Sequence, residues 1–150
     1  VIKLRGFTPD VPTVTPGILL DCTHFIPYES GMKAAPSLTT KSDALAAACR
    51  GAEALTQLSG SRRVFAGTNA GLYELSGSSW TDRSRGGGYS LGTQTEWSFT
   101  QFGDTSIAGN LDNVIQSSAA GAFANVATSP QAKIVEGVLS SGGGFVFAFN

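Results

Sequence analysis

The chain has 150 residues, a net charge of −1 at pH 7 and 14% charged residues, against about a quarter in an ordinary soluble domain. Nineteen glycines, with Ser, Thr and Asn supplying most of the polarity, are unusual for a compact soluble enzyme and suit all-β structure with many tight turns. The balanced charge excludes tight general binding to nucleic-acid phosphates, which needs clustered Lys and Arg, and no apolar run approaches the roughly 20 residues of a membrane-spanning helix.

A surface this poor in charge suits burial against neighbouring subunits; the plainer reading is a secreted β protein with a neutral exterior. Val1-Ile2-Lys3-Leu4-Arg5 has no long apolar core behind its basic residues, so it does not read as a signal peptide. With Val rather than Met at position 1, the chain reads as processed, trimmed or only partly represented, and as soluble. Cys22 and Cys49 are too few for a disulfide framework, and two reduced, buried thiols are favoured over one bridge. A single His leaves no credible set of structural zinc ligands.

Residues 1–40 read as an extended, Pro-containing arm with short strands. Val1 to Arg5 alternates apolar and basic residues, as a half-buried strand does. Pro9, Pro12 and Pro16 then hold residues 7–17 extended and bar them from a central strand. Ile18-Leu19-Leu20 is a short apolar strand. Phe25-Ile26-Pro27, the turn Glu29-Ser30-Gly31 and residues 32–35 form a strand pair. The arm either packs across its own sheets or reaches a neighbour. Residues 41–50 read as a short helix or linker: Ser42 is a possible cap, Asp43 suits a first turn, residues 44–49 have good propensity, and Gly51 is a stop.

Residues 51–150 carry an internal repeat. Leu55-Thr56-Gln57-Leu58 returns 44 positions later as Phe99-Thr100-Gln101-Phe102, and Ala66-Gly67 returns 42 positions later as Ala108-Gly109, each soon followed by an Asn (Asn69, Asn110). Leu72-Tyr73-Glu74-Leu75 maps onto Val114-Ile115-Gln116-Ser117, and Trp80 onto Phe123, 43 positions on. A third copy starts near Ile134, reaches Phe145-Val146-Phe147-Ala148-Phe149, comparable to Val64-Phe65-Ala66, and breaks off. A period near 42, built of short apolar strands and Gly-bearing turns, is the mark of a four-stranded propeller blade. The expected fold is all-β: two four-stranded blades (51–84 and 95–127), an incomplete third (134–150), and at most one short helix. Strands are expected at 52–58, 62–67, 72–75 and 80–83, then at 96–102, 106–109, 114–116 and 122–126. The crossing through Arg85-Gly86-Gly87-Gly88 reads as flexible, and that through Thr128-Ser129-Pro130-Gln131 as shorter and stiffer.

No catalytic, cofactor-binding or metal-binding residue emerges, and the chain does not read as an enzyme. His24 follows Asp21 and Cys22, but no oxyanion hole accompanies this Cys/His pair, and a structural histidine is preferred. Ser59-Gly60-Ser61 and Ser76-Gly77-Ser78-Ser79 lie in hairpin turns, not on a hydrolase elbow. Residues 85–88 lack the Lys and helix of a phosphate loop. Asp82, Glu96, Asp104, Asp112 and Glu136 are the carboxylates available to a glycosidase, with Asp104 and Asp112 placed in turns on backbone grounds. Asn110-Leu111-Asp112-Asn113 lacks the acidic pattern of a calcium loop. Trp97 and Phe99 share one strand face and read as inter-blade packing rather than as a stacking platform. Arg62, Arg63, Arg83 and Arg85, the densest basic group, read as solvated cations, with local contact to DNA as the alternative.

Several stretches together resemble one family. They are Leu4-Arg5-Gly6-Phe7-Thr8-Pro9-Asp10, Thr15-Pro16-Gly17, Asp21-Cys22-Thr23, Phe25-Ile26-Pro27, Gly31-Met32 and Ala48-Cys49-Arg50-Gly51-Ala52. Arg63-Val64-Phe65-Ala66-Gly67-Thr68, Leu72-Tyr73-Glu74-Leu75 and Trp97-Ser98-Phe99-Thr100-Gln101-Phe102-Gly103-Asp104 complete the set. The chain is similar to the amino-terminal region of short-tailed bacteriophage neck and tail proteins, the nozzle, tail-tubular and head-completion group that carries a β-propeller. The resemblance implies a homo-oligomeric ring, usually a hexamer, around a channel that retains packaged DNA and releases it at ejection. It implies other tail, adaptor or portal-complex proteins as partners, transient non-specific DNA in the channel, and a place in the virion after assembly in the host cytoplasm. It brings no catalytic residues, metal or cofactor. Two rival expectations are a glycan-binding or glycan-cleaving propeller of a phage adsorption apparatus, and a free-standing interaction scaffold.

Overall fold

The computed structural model describes residues 23–28, 31–140 and 143–150. The chain divides into two units, Val1–Thr40 and Lys41–Asn150, each considered by itself. In the first, β1 (Phe25–Tyr28) pairs antiparallel with β2 (Gly31–Ala34), Phe25 opposite Ala34 and Tyr28 opposite Gly31. The Ala35 N–H closes the open end on the His24 carbonyl at 2.7 Å. The expected strands at 1–5 and 18–20, the extended run 7–17 and the turn at Glu29-Ser30 lie outside the described residues.

The second unit opens with an irregular linker. Residues 41–50 contain no helical turn, so the helical alternative for this segment is not what forms. Nine or ten residues are too few to repay helix nucleation alone, and the backbone groups there are committed elsewhere. Asp43 N–H bonds to the Ser78 carbonyl and Arg50 N–H to that of Gly67, while the Asp43 carbonyl accepts from the Trp80 indole at 3.1 Å.

Two four-stranded antiparallel meanders follow. The first comprises β3 (Ala52–Thr56), β4 (Arg62–Gly67), β5 (Leu72–Ser76) and β6 (Ser79–Asp82), hydrogen-bonded in that order. The second comprises β7 (Ser98–Phe102), β8 (Thr105–Gly109), β9 (Gln116–Ser118) and β10 (Ala124–Asn125). A hairpin of β11 (Ile134–Ser140) and β12 (Gly143–Phe149) closes the described chain. The fold is all-β, four antiparallel sheets with no helix among the described residues, and so none there long and apolar enough to cross a membrane.

Strands β9 and β10 differ from expectation. The third strand of this sheet starts at Gln116, not Val114, because Val114 is taken by a bridge to Gln131 and the Ile115 N–H donates to the Pro130 carbonyl. The fourth is trimmed to two residues, since Phe123 N–H reaches back to the Arg83 carbonyl.

The sheets stack through their first strands, β7 lying against both β3 and β11. The face of each sheet that meets the next in chain order is called its front. Between the first and second sheets lies a core of Leu55, Phe65 and Leu72 with Trp97, Ala108 and Phe123, joined by Tyr89 and Leu91 from the crossing. Phe65 is edge-on to Phe123 at 5.2 Å and stacked on Phe99 at 6.2 Å. Between the second sheet and the hairpin lies a smaller aliphatic core, Ile107, Ile115, Ala132 and Val135, with Val126 and Val146 against it.

One glycine device recurs at both joints. A Cβ on Gly67 would stand 2.1 Å from Trp97 Cδ1, and a Cβ on Gly109 would stand 2.7 Å from Val135 Cγ1. The second strand of each sheet thus ends where the next sheet's first bulky back-face residue needs the space.

Candidate functional site

The most elaborate polar constellation joins the first two sheets. Arg63 projects from β4 on the same face as Phe65 two residues on, its guanidinium 4.7 Å from that ring centroid. Nε and Nη2 donate to Glu74 Oε1 and Oε2 at 2.6 and 3.2 Å, a bidentate pair within the sheet. Nη1 crosses to the second sheet, donating to the carbonyls of Ser118 and Ala119 at 3.2 and 3.3 Å and to Ser106 Oγ at 3.5 Å. Nη2 also reaches Ser118 Oγ at 3.3 Å. Arg83 Nε completes the cluster on Glu74 Oε2 at 2.8 Å. Burial alone would raise the Glu74 carboxyl, but hydrogen bonds from Arg63 and Arg83 and their charges outweigh it, and the group is held below its ordinary 4.5.

A second anchor holds the first crossing. Arg85 donates through Nη1 to Asn125 Oδ1 at 2.6 Å, through Nη2 to Asn113 Oδ1 at 2.8 Å and through Nε to the Gly88 carbonyl at 3.1 Å. Its guanidinium lies 5.0 Å from the Tyr89 ring centroid. The Tyr89 hydroxyl, raised above its usual 10.0 by burial, donates to Gln116 Oε1 at 3.3 Å. The expected flexible crossing is therefore packed and hydrogen-bonded. Of the four arginines expected to be solvated, Arg62 alone is exposed. Arg63, Arg83 and Arg85 are partnered within the protein: Arg63 and Arg83 share Glu74 of their own sheet, Arg63 also reaches carbonyls of the second sheet, and Arg85 meets the Asn113 and Asn125 side chains and the Gly88 carbonyl.

The loops after β4 and β8 use one device with different residues. Thr68 Oγ1 accepts from the Ala70 and Gly71 N–H groups at 3.3 and 3.0 Å; Asn110 Oδ1 accepts from those of Asp112 and Asn113 at 2.8 Å each. Thr68, not Asn69, is thus the counterpart of Asn110. Asp112 accepts from the Gly92 N–H at 2.7 Å, and its carboxyl is lowered by hydrogen bonds from the Thr95 hydroxyl and that amide.

A pocket of about 400 Å³ opens at the first strands of the three repeats, with Glu53, Glu96, Lys133 and Glu136 among its lining. It gathers two of the five carboxylates singled out from the sequence, Glu96 and Glu136, and adds Glu53, which no motif flags. Asp82, Asp104 and Asp112 are elsewhere: Asp82 caps the Ser84 N–H at 2.8 Å, and the other two sit in turns. Among the described residues no group of His, Cys, Asp and Glu is disposed to hold a metal ion. Trp97 and Phe99 belong to the inter-sheet core. Trp97 Nε1 donates to the Thr68 carbonyl at 2.9 Å. His24 is exposed; Asp21 and Cys22 lie outside the described residues. Cys49 is a free thiol but exposed, not buried as expected, because the irregular linker carries it along the surface. No family model, curated protein or solved structure matches the chain.

Proposed function

We propose that the stacked sheets are blades of a β-propeller, two complete and one partial, and that the protein is a structural subunit of a bacteriophage tail or neck ring. Its work is mechanical: successive sheets bury apolar faces, and the ring encloses a conduit for DNA retention and ejection. The observation that carries this reading is the stack itself. Successive first strands lie side by side, each joint is closed by the same glycine contact, and the repeat near 42 residues is the length of a blade. The carboxylates of Glu53, Glu96 and Glu136 at the first-strand pocket fit a conduit that repels phosphates and lets DNA slide. Hexameric assembly, the neighbouring tail, adaptor or portal proteins, and a place in the virion follow from the family resemblance.

Immunogold labelling of particles of the phage that encodes the chain tests the reading. Gold confined to the tail or neck supports it, and particles free of label overturn it. The same pocket favours one second reading, a glycan-binding or glycan-cleaving propeller, since it brings several carboxylates to one opening. Release of reducing sugar from a host polysaccharide, abolished by Glu96→Gln or Glu136→Gln, would establish that alternative.

A further inference from the structure

We draw no further inference here: the strongest candidate, the pocket with Glu53, Glu96, Lys133 and Glu136 at the first strands of the three repeats, belongs to the site already described, and nothing else in the structure points to a ligand for its carboxylates.

Discussion

The first inter-sheet joint and the front of the β11–β12 hairpin are one surface in two states. In the first, Phe65 is sealed under Phe99, Phe123 and the Arg63 guanidinium. In the second, Phe147 occupies the same strand position, next to Ala148 as Phe65 is next to Ala66, with half its surface in water. Equal chemistry with unequal cover means that the stability of each repeat resides in its joint to the next, as in other stacked-repeat proteins. The comparison makes graded predictions, since truncating equivalent residues should cost in proportion to what covers them.

The largest effect is expected at Phe65. Phe65→Ala removes a fully buried ring from between two aromatic neighbours and leaves a cavity that the sheets cannot close, costing about 4 kcal/mol. Chemical denaturation reads this directly. A loss below about 1 kcal/mol would mean that the joint repacks easily, and the contrast with Phe147 would collapse.

Next is Gly67→Ala. The added methyl meets Trp97 Cδ1 at 2.1 Å, and Trp97 cannot swing away without losing its bond to the Thr68 carbonyl. Overpacking of this kind costs about 3 kcal/mol. Trp97 fluorescence should shift as well. Gly86→Ala, where a Cβ meets nothing, is the control for backbone effects.

How much of this was legible in the sequence follows from what periodicity can encode. The sheets, the strands around Arg63 and Leu72, and the joints near residues 85–97 and 127–134 follow from alternation and turn chemistry. Register does not. The matching letters of Leu55-Thr56-Gln57-Leu58 and Phe99-Thr100-Gln101-Phe102 suggest equivalent strands. Strand partners nevertheless place Leu55 on the front of the first sheet and Phe99 on the back of the second, where both enter one core. Likewise the repeat spacing aligns Glu74 with Gln116. Glu74 faces forward on Arg63, whereas Gln116 faces back toward Tyr89. A one-residue slip inverts every face of a strand, and the loops between these strands differ in length. The Arg63 clamp was also hidden: its partners Ser106, Ser118 and Ala119 are 43 or more positions away, and no local pattern announces them.

Glu74→Ala comes third. It leaves Arg63 buried without its carboxylate, at a cost of about 2 kcal/mol, below the full penalty for breaking a buried pair because Arg83 remains partly hydrated. The sign of its pH dependence follows from the lowered carboxyl. The contribution is present above 4.5, the ordinary value that the unfolded chain retains, and is lost as pH falls through the lower folded value, because the unfolded state then binds more protons. Urea midpoints of the wild type should therefore drop below pH 4.5 more steeply than those of Glu74→Gln. Parallel curves would show that the clamp's charge contributes nothing to the joint.

The smallest effect is expected at Phe147. Phe147→Ala forfeits little more than its stacking on Phe149, about 1 kcal/mol, because water already reaches half of the ring. Urea denaturation run beside Phe65→Ala should therefore show a clearly smaller loss at the equivalent strand position. A Phe147 loss as large as that at Phe65 would mean that cover does not set the cost of truncation, and the equivalence of the positions would be one of register alone.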